Sequence, residues 1–259
     1  MIVLGYQKRE LERYKIKIPY RLQLGTNTAH LLITGKSGSG KSLSAKYYIW
    51  QLLTGYEANV SICDYKGGWE YAALEGSKAY ASGFAALEMV ENYYQFFTQI
   101  RDQRIRLEKH HTLFIEEWLG LLTYAETQSK KLKTDIQAKV GEILAVGRGL
   151  NCGICLCVQR ADASLFTAGS REQFQAVIAF GRISAEHFRM LGLSSEMDEN
   201  PTGRYRAGQA ICMIDGQDEP CEIIVPYITN QKIMDKAIRT LLDKQSTLDE
   251  LCRIHGGAV

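Results

Sequence analysis

His30-Leu31-Leu32-Ile33-Thr34-Gly35-Lys36-Ser37-Gly38-Ser39-Gly40-Lys41-Ser42 is the stretch that decides the fold. It opens on a short apolar run that reads as a buried strand. Gly35 to Ser42 then fits G-x-x-x-x-G-K-[ST], the phosphate-binding P-loop. Over residues 43–53, Ala, Leu, Ile and Tyr fall on the inner face of a predicted helix. Strand, glycine-rich loop and helix are the setting this motif needs. The glycines let the backbone curl so that several N–H groups converge on phosphate oxygens at a helix N-terminus. Lys41 is expected to reach the outer phosphates, and the Ser42 hydroxyl to complete a Mg²⁺ shell. The bland alternative is a flexible Gly/Ser turn. At a glycine frequency of about 7%, chance yields this pattern in on the order of 1% of chains this long.

Further strands and helices are expected on either side. Residues 60–63 form a second strand, ending in Asp64-Tyr65-Lys66-Gly67-Gly68. Residues 84–109 carry apolar side chains near helical spacing (Leu87, Val90, Tyr94, Phe97, Ile100) and a basic far end (Arg101, Arg104, Arg106, Lys109). A strand over 112–115 ends in Glu116-Glu117, and a helix over 134–148 leads to a strand over 153–158 that ends in Gln159. A fifth strand spans 176–180; 208–214 and 222–225, joined by Asp215-Gly216, read as a hairpin. A polar helix over 230–251 closes the chain, and short strands are expected over 14–18 and 20–24. Strands alternating with helices predict an α/β fold, a mostly parallel sheet with helices on both faces. The simplest parse is one domain, with 1–29 as a strand-rich extension and 230–259 as a C-terminal helix.

Composition narrows the function. With 259 residues the chain can bury a large core, and 31 basic against 29 acidic residues make any nucleic-acid surface a local stripe. No apolar run approaches the ~18–20 residues of a membrane span. The first 13 residues turn charged early and do not read as a secretory signal. The expected location is the cytoplasm, with any membrane association made through a partner. Of seven cysteines, Cys63, Cys155, Cys157 and Cys212 lie in apolar, strand-like runs, which suits a reducing compartment. Cys152-Gly-Ile-Cys155 is formally C-x-x-C, and Cys157 follows. Without a second Cys or His pair at zinc-like spacing, buried strand thiols are the favoured reading.

In open parallel sheets, ligands lie outside the carboxyl ends of the strands. An apolar strand ending in Glu116-Glu117 is a Walker B pattern: the first acid supports Mg²⁺ and the second accepts a proton from the attacking water. Gln159 at the next strand end is placed to sense the γ-phosphate. Arg148, between Gly147 and Gly149, has two readings of equal weight. One is an arginine finger reaching a neighbouring subunit's γ-phosphate. The other is a helix terminus with Gly149 at C′ and Arg148 favoured by the dipole. Arg182 is the alternative finger.

Together these pieces resemble the motor domain of the FtsK/HerA superfamily of DNA-pumping ATPases. The likeness rests on the P-loop, Asp64-Tyr65-Lys66-Gly67-Gly68, Phe114-Ile115-Glu116-Glu117, Gly147 to Ile154, Val158-Gln159-Arg160 and Val177-Ile178-Ala179-Phe180. They follow the family order over residues 18–228. The resemblance implies a RecA-like P-loop NTPase of the additional-strand type. It implies ATP and Mg²⁺ as cofactors, a ring, hexameric by the family pattern, and movement of DNA held by non-specific phosphate contacts. Lys66, Lys130, Lys131 and Lys133 are candidates for those contacts, although a solvated helix face is the plainer reading of the last three. Family members commonly carry Asp-Glu and Thr-Gln-Arg-Pro where this chain has Glu116-Glu117 and Val158-Gln159-Arg160-Ala161. By analogy, a short chain of this type fits plasmid or conjugative DNA transfer beside a membrane or relaxosome-type partner. The alternatives are a secretion motor that moves protein and a nucleotide-binding adaptor with little hydrolysis.

Overall fold

The computed structural model of the chain describes residues 1–24, 28–193 and 203–256. The expected extension over 1–29 therefore includes residues outside the described set, as does the end of the C-terminal segment. The chain opens with β1 (Ile2–Gln7), α1 (Lys8–Tyr14) and β2 (Pro19–Leu22). The P-loop unit is β3 (Leu31–Gly35) and α2 (Lys41–Gly55), followed by β4 (Asn59–Asp64), β5 (Tyr80–Ser82) and α3 (Ala85–Asp102). Next come β6 (His111–Glu116), α4 (Trp118–Gln128), α5 (Lys130–Leu150), β7 (Cys152–Val158) and β8 (Ala176–Phe180). A short ribbon pairs β9 (Arg182–Ile183) with β10 (Gly203–Arg204), α6 (Ala185–Met190) lying between them in sequence. The hairpin β11 (Gln209–Ile214) and β12 (Cys221–Ile224) precedes α7 (Gln231–Lys244) and α8 (Leu248–Gly256).

Ten strands form one sheet in the order β2-β1-β12-β11-β8-β3-β7-β6-β4-β5. From β8 to β5 every pairing is parallel; from β8 to β2 every pairing is antiparallel. The P-loop strand β3 sits in the middle. Alternation along each strand sends its side chains to opposite faces. Leu31 and Ile33 join a core that includes α2 and α7; Leu32 joins another that includes α3, α4 and α5. The same alternation sends Cys155 to the first core and Cys152 to the second. These thiols face away from each other, so the C-x-x-C spacing makes neither a metal site nor a disulfide; all seven cysteines are free.

Several expected boundaries differ from the structure, each for a local reason. The strand expected over 14–18 is absent: α1 runs to Tyr14, and Lys15 turns the chain in the left-handed region. Helix α3 stops at Asp102, so Arg104, Arg106 and Lys109 lie in the connection to β6. Helix α5 begins at Lys130, not 134, because the Ser129 hydroxyl caps it by accepting from Leu132 N at 3.0 Å. At its other end Asn151, not Gly149, takes the left-handed position at φ 64°. The single helix expected over 230–251 is two. Gln245 breaks it in extended conformation, and its amide brackets the Val60 backbone with bonds of 3.1 and 2.7 Å. Thr247 and Glu250 then form a reciprocal capping box for α8.

At the edge where β3, β6 and β7 begin, His30, His110 and His111 are buried. Each has one partnered ring nitrogen: His30 Nδ1 with Ile154 N, His110 Nδ1 with Asn151 Oδ1, His111 Nε2 with Ser61 Oγ. The other nitrogen of each has none. Burial pushes their pKa values down, to about 3 for His30, about 4 for His110 and about 3 for His111. The unfolded chain therefore takes up protons below pH ~6.5 that the native state refuses until about pH 4. The stability from keeping them neutral is full above pH 6.5 and is lost as pH falls. We expect a loss of up to about 2 kcal/mol per histidine between pH 7 and pH 5. Urea midpoints at the two pH values measure it. His111→Gln should flatten the dependence; an unchanged slope would remove His111 from this account.

Candidate active site

Strand β3 ends at Gly35, and the chain turns through Lys36 to Gly40 before α2 begins. Gly40 has φ 89°, and a Cβ there would lie 2.7 Å from Gly208 N. Gly208 N donates to Ser39 O at 3.0 Å, so the turn before β11 clamps the P-loop from outside. Gly40 has no room for a side chain, and Gly208 opposite it, at φ 79°, holds a left-handed conformation that suits glycine. Lys41 is buried, and its Nζ lies 3.0 Å from Glu116 Oε1. Ser42 Oγ donates to the same oxygen at 2.8 Å. Burial alone would lower the Lys41 pKa, but the Cys157 sulfur and the Glu116 carboxylate outweigh it and hold the ammonium above its ordinary value. The Ser42 hydroxyl and the carboxylate are hard oxygen donors, and Mg²⁺ takes few protein ligands of this kind. The donor set fits that ion.

Glu116 ends β6 fully buried, and Trp118 starts α4 equally buried, its indole N–H donating to Leu165 O at 2.9 Å. Between two anchored neighbours, Glu117 adopts φ 59°, ψ 58°, a left-handed conformation costly to a residue with a Cβ. The strain turns its side chain outward. Glu117 Oε1 lies 3.4 Å from Gln159 Nε2. Strand β7, which carries Gln159 at its end, is the strand inserted between β3 and β6. The strand over 60–63 precedes Glu116 in sequence, but in space it lies beyond β6. A cavity of about 580 Å³ collects the P-loop, Glu116, Glu117 and Gln159, with Trp69 and Ala207 at its walls.

Other predicted residues lie apart. Arg148 is exposed on the last turn of α5, at the edge where β7 begins, whereas the P-loop follows the opposite end of β3. Because β3 and β7 are parallel, the sheet separates Arg148 from its own P-loop. Arg182 is on the P-loop side, lining a smaller cavity with Lys36, Gln159 and Arg160. Lys66 lines the main cavity. Lys130, Lys131 and Lys133 occupy the first turn of α5, with Lys133 paired to Glu126 at 2.7 Å.

Tyr71 and Lys46 gave no sequence signal of their own, whereas Asp64 belongs to the Asp64–Gly68 motif read from the sequence. Tyr71 is fully buried, its hydroxyl 3.4 Å from Glu116 Oε2 and 3.3 Å from Ser42 O. Burial, and then the Glu116 charge, keeps this phenol protonated and a donor. Asp64 accepts from Gly67 N, Gly68 N and Tyr80 OH at 3.0–3.1 Å, which fixes the Lys66–Glu70 loop. Burial raises the Asp64 pKa, and these bonds pull it back. Buried Lys46 donates to Glu70 O at 2.8 Å and pairs with Asp235 of α7 at 2.7 Å.

Sheet order, P-loop and strand-end carboxylates define the RecA-like class of P-loop NTPases. Within it, residues 10–143 match the family described as DUF87, the helicase HerA central domain, and the chain belongs to that family. Solved structures share the fold at low identity. The pCW3 conjugation coupling protein TcpA, in monomer form with ATPγS, is 19% identical with a TM-score of 0.64, over 93% of this chain and 70% of that one. The cytoplasmic domain of the Type VII secretion ATPase EccC from Thermomonospora curvata is 16% identical with a TM-score of 0.66, over 95% of this chain. This chain spans only 31% of that EccC chain. The genome packaging NTPase B204 of Sulfolobus turreted icosahedral virus 2, with ATPγS, is 14% identical with a TM-score of 0.50, over 76% of this chain and 98% of its own. No curated protein matches the sequence. Among the described residues, no helix is long and apolar enough to cross a membrane.

Tyr71→Phe keeps the ring and removes the donor to Glu116. A buried hydrogen bond contributes ~1 kcal/mol, which corresponds to about fivefold. The Mg²⁺ concentration needed for half-maximal binding of a fluorescent ATP analogue should rise by about that factor. An unchanged Mg²⁺ titration would show that Tyr71 does not position the carboxylate.

Proposed function

We propose that this chain is the motor of a Mg²⁺-dependent ATPase that assembles as a ring, a hexamer by the family pattern, and moves DNA. The setting that best fits is plasmid or conjugative DNA transfer beside a membrane or relaxosome-type partner. One observation carries the chemistry: Lys41 and Ser42 converge on Glu116 while Glu117 and Gln159 face each other across the same cavity. The Gly35–Gly40 backbone cradles phosphates, and Lys41 exchanges its carboxylate partner for them. Ser42 and Glu116 would hold Mg²⁺, which offsets phosphate charge and orients the γ-phosphoryl group. Glu117 takes the proton of the attacking water. Gln159 orients that water and registers the γ-phosphate. Because the sheet separates Arg148 from its own P-loop, its reach is toward a neighbouring subunit, where it would stabilise transition-state charge.

Electrostatics support an anionic cargo. Lys130, Lys131 and Lys133 crowd the first turn of α5, which holds no acidic residue. Cations there oppose the helix dipole. A phosphate backbone near that turn would relieve the conflict. Likeness to EccC supports a second reading, a motor that moves protein. Duplex DNA separates the two: it should stimulate ATP turnover several-fold in a DNA motor and leave a protein motor unchanged.

Glu117→Gln should retain ATP affinity within about twofold and lower turnover by at least ~10²-fold, since the amide cannot accept the proton. Binding and single-turnover assays on one preparation check both halves. Normal turnover would reassign the base.

Arg148→Ala should lower turnover, by roughly 10³-fold where a finger acts fully, with little change in ATP affinity. Mixed with Lys41→Ala subunits, it should regain activity at interfaces where an intact pocket meets an intact arginine. No regain, together with a melting temperature lowered by several degrees, would make Arg148 a helix-end residue and Arg182 the next finger to test.

A further inference from the structure

The smaller cavity beside the P-loop, of about 310 Å³, is lined by Lys36, Gln159, Arg160 and Arg182. It shares Lys36 and Gln159 with the main cavity, so the two meet on the Gln159 side. A third cavity, of about 190 Å³, shares Arg182 and Ser184 with it and adds Arg204. Cations thus run from the P-loop to the β9–β10 ribbon. Among the described residues, no carboxylate lines either of these two cavities. Arg160 is balanced by Asp162 at 2.7 Å and Glu186 at 2.9 Å. Lys36, Arg182 and Arg204 are exposed and have no ion-pair partner among the described residues.

The ribbon makes this charge costly. Arg182 and Arg204 are direct partners across β9 and β10. Like charges directly opposite each other destabilise a strand pair. Each strand here has only two residues, so few other pairs offset the repulsion. An anion between the two guanidinium groups removes the conflict, and guanidinium forks match the oxygens of a phosphate. The wall behind them is fixed in advance. Thr34 Oγ1 donates to Gln159 O at 3.3 Å, and Ala161 N donates to His187 Nε2 at 3.4 Å. These bonds join the ends of β3 and β7 to α6.

Hydrolysis supplies such an anion. While ADP stays on the P-loop, the freed phosphate lies at the γ position, beside Glu117 and Gln159. We propose that Lys36, Arg182 and Arg204 bind inorganic phosphate as it leaves past Gln159. The inference rests on the ATPase reading above and gives the product of that reaction a route out. The role differs from that of a finger, which acts on the nucleotide of a neighbouring subunit.

Filling the γ position isolates the site. Wild type loaded with Mg²⁺ and the β,γ-imido analogue of ATP should still bind radiolabelled inorganic phosphate in equilibrium dialysis at fixed ionic strength. Arg182→Gln and Arg204→Gln should each weaken that binding about tenfold, as loss of a charge-assisted hydrogen bond does. In steady-state turnover, added phosphate should lower kcat rather than raise KM, and either variant should need about tenfold more phosphate for the same inhibition. Phosphate excluded by the analogue, inhibition competitive with ATP, or variants that bind phosphate like wild type would overturn the site. Loss of turnover in Arg182→Gln with phosphate binding intact would make Arg182 a finger and overturn it too. So would duplex DNA that displaces phosphate in direct competition, since these cations would then hold the cargo. Wild type that binds the analogue but no phosphate removes this site alone. Wild type that binds no nucleotide removes the ATPase reading with it.

Discussion

The buried pair between Lys41 and Glu116 is the interaction around which the rest of the site is arranged. Removing two charges from water costs several kcal/mol each, and their attraction offsets this only when the remaining lone pairs and protons are satisfied. Here Glu116 Oε1 receives Lys41 and Ser42, and Oε2 faces the Tyr71 hydroxyl. The donors come from the start of α2 and from the loop after β4, so the carboxylate at the end of β6 draws three segments together. The pair also sets the terms of ligand entry. Phosphate on the P-loop competes for the same ammonium, and Glu116 then needs another cation.

The loop after β4 exists to bring Tyr71 under that carboxylate. Asp64 pins its beginning through two backbone N–H groups and a tyrosine hydroxyl. Lys46 pins its end through Glu70 O, and the Asp235 carboxylate balances the charge that this buries. Glu116 is one methylene longer than the aspartate common at this position in the family. A long carboxylate in a packed site needs a fixed partner for its far oxygen, and Tyr71 is placed to serve.

How much of this was legible follows from where each signal resides. The P-loop, the strands at its flanks and the hairpin after Gly208 were read because local pattern and tertiary role agree there. The 176–180 strand was read to the residue. Asp64 was visible within its Asp64–Gly68 motif, whereas Tyr71 and Lys46 escaped because each acts through a partner distant in sequence, such as Asp235 for Lys46. The Thr247–Glu250 capping box was visible in the sequence and overridden by the polar periodicity around it. The 60–63 strand lies between the P-loop and Glu116 in sequence, whereas in the sheet it is β7 that stands between β3 and β6. Order along the chain does not fix order across a sheet.

Backbone contacts tie the P-loop to the N-terminus. Ser39 O accepts from Gly208 N, and Gly208 O accepts from Val225 N at 2.8 Å. Val225 follows β12, which pairs with β1 so that Tyr6 stands opposite Ile224. Gly40 packs on Gly208 without room for a Cβ, so neither turn can shift alone. Beyond β1, Gln51 of α2 holds both the N–H and the C=O of Val3 with its side-chain amide, and Tyr48 donates to Leu4 O. Helix α2 starts in the P-loop and ends against the N-terminal strand. Phosphate-binding loop, hairpin and N-terminal strand thus form a closed circuit of hydrogen bonds. A displacement at Gly40 must be absorbed at Tyr6 or resisted there, because close-packed elements transmit strain rather than dissipate it. The N-terminal segment is therefore mechanically coupled to the P-loop although it carries none of the residues proposed to act in hydrolysis.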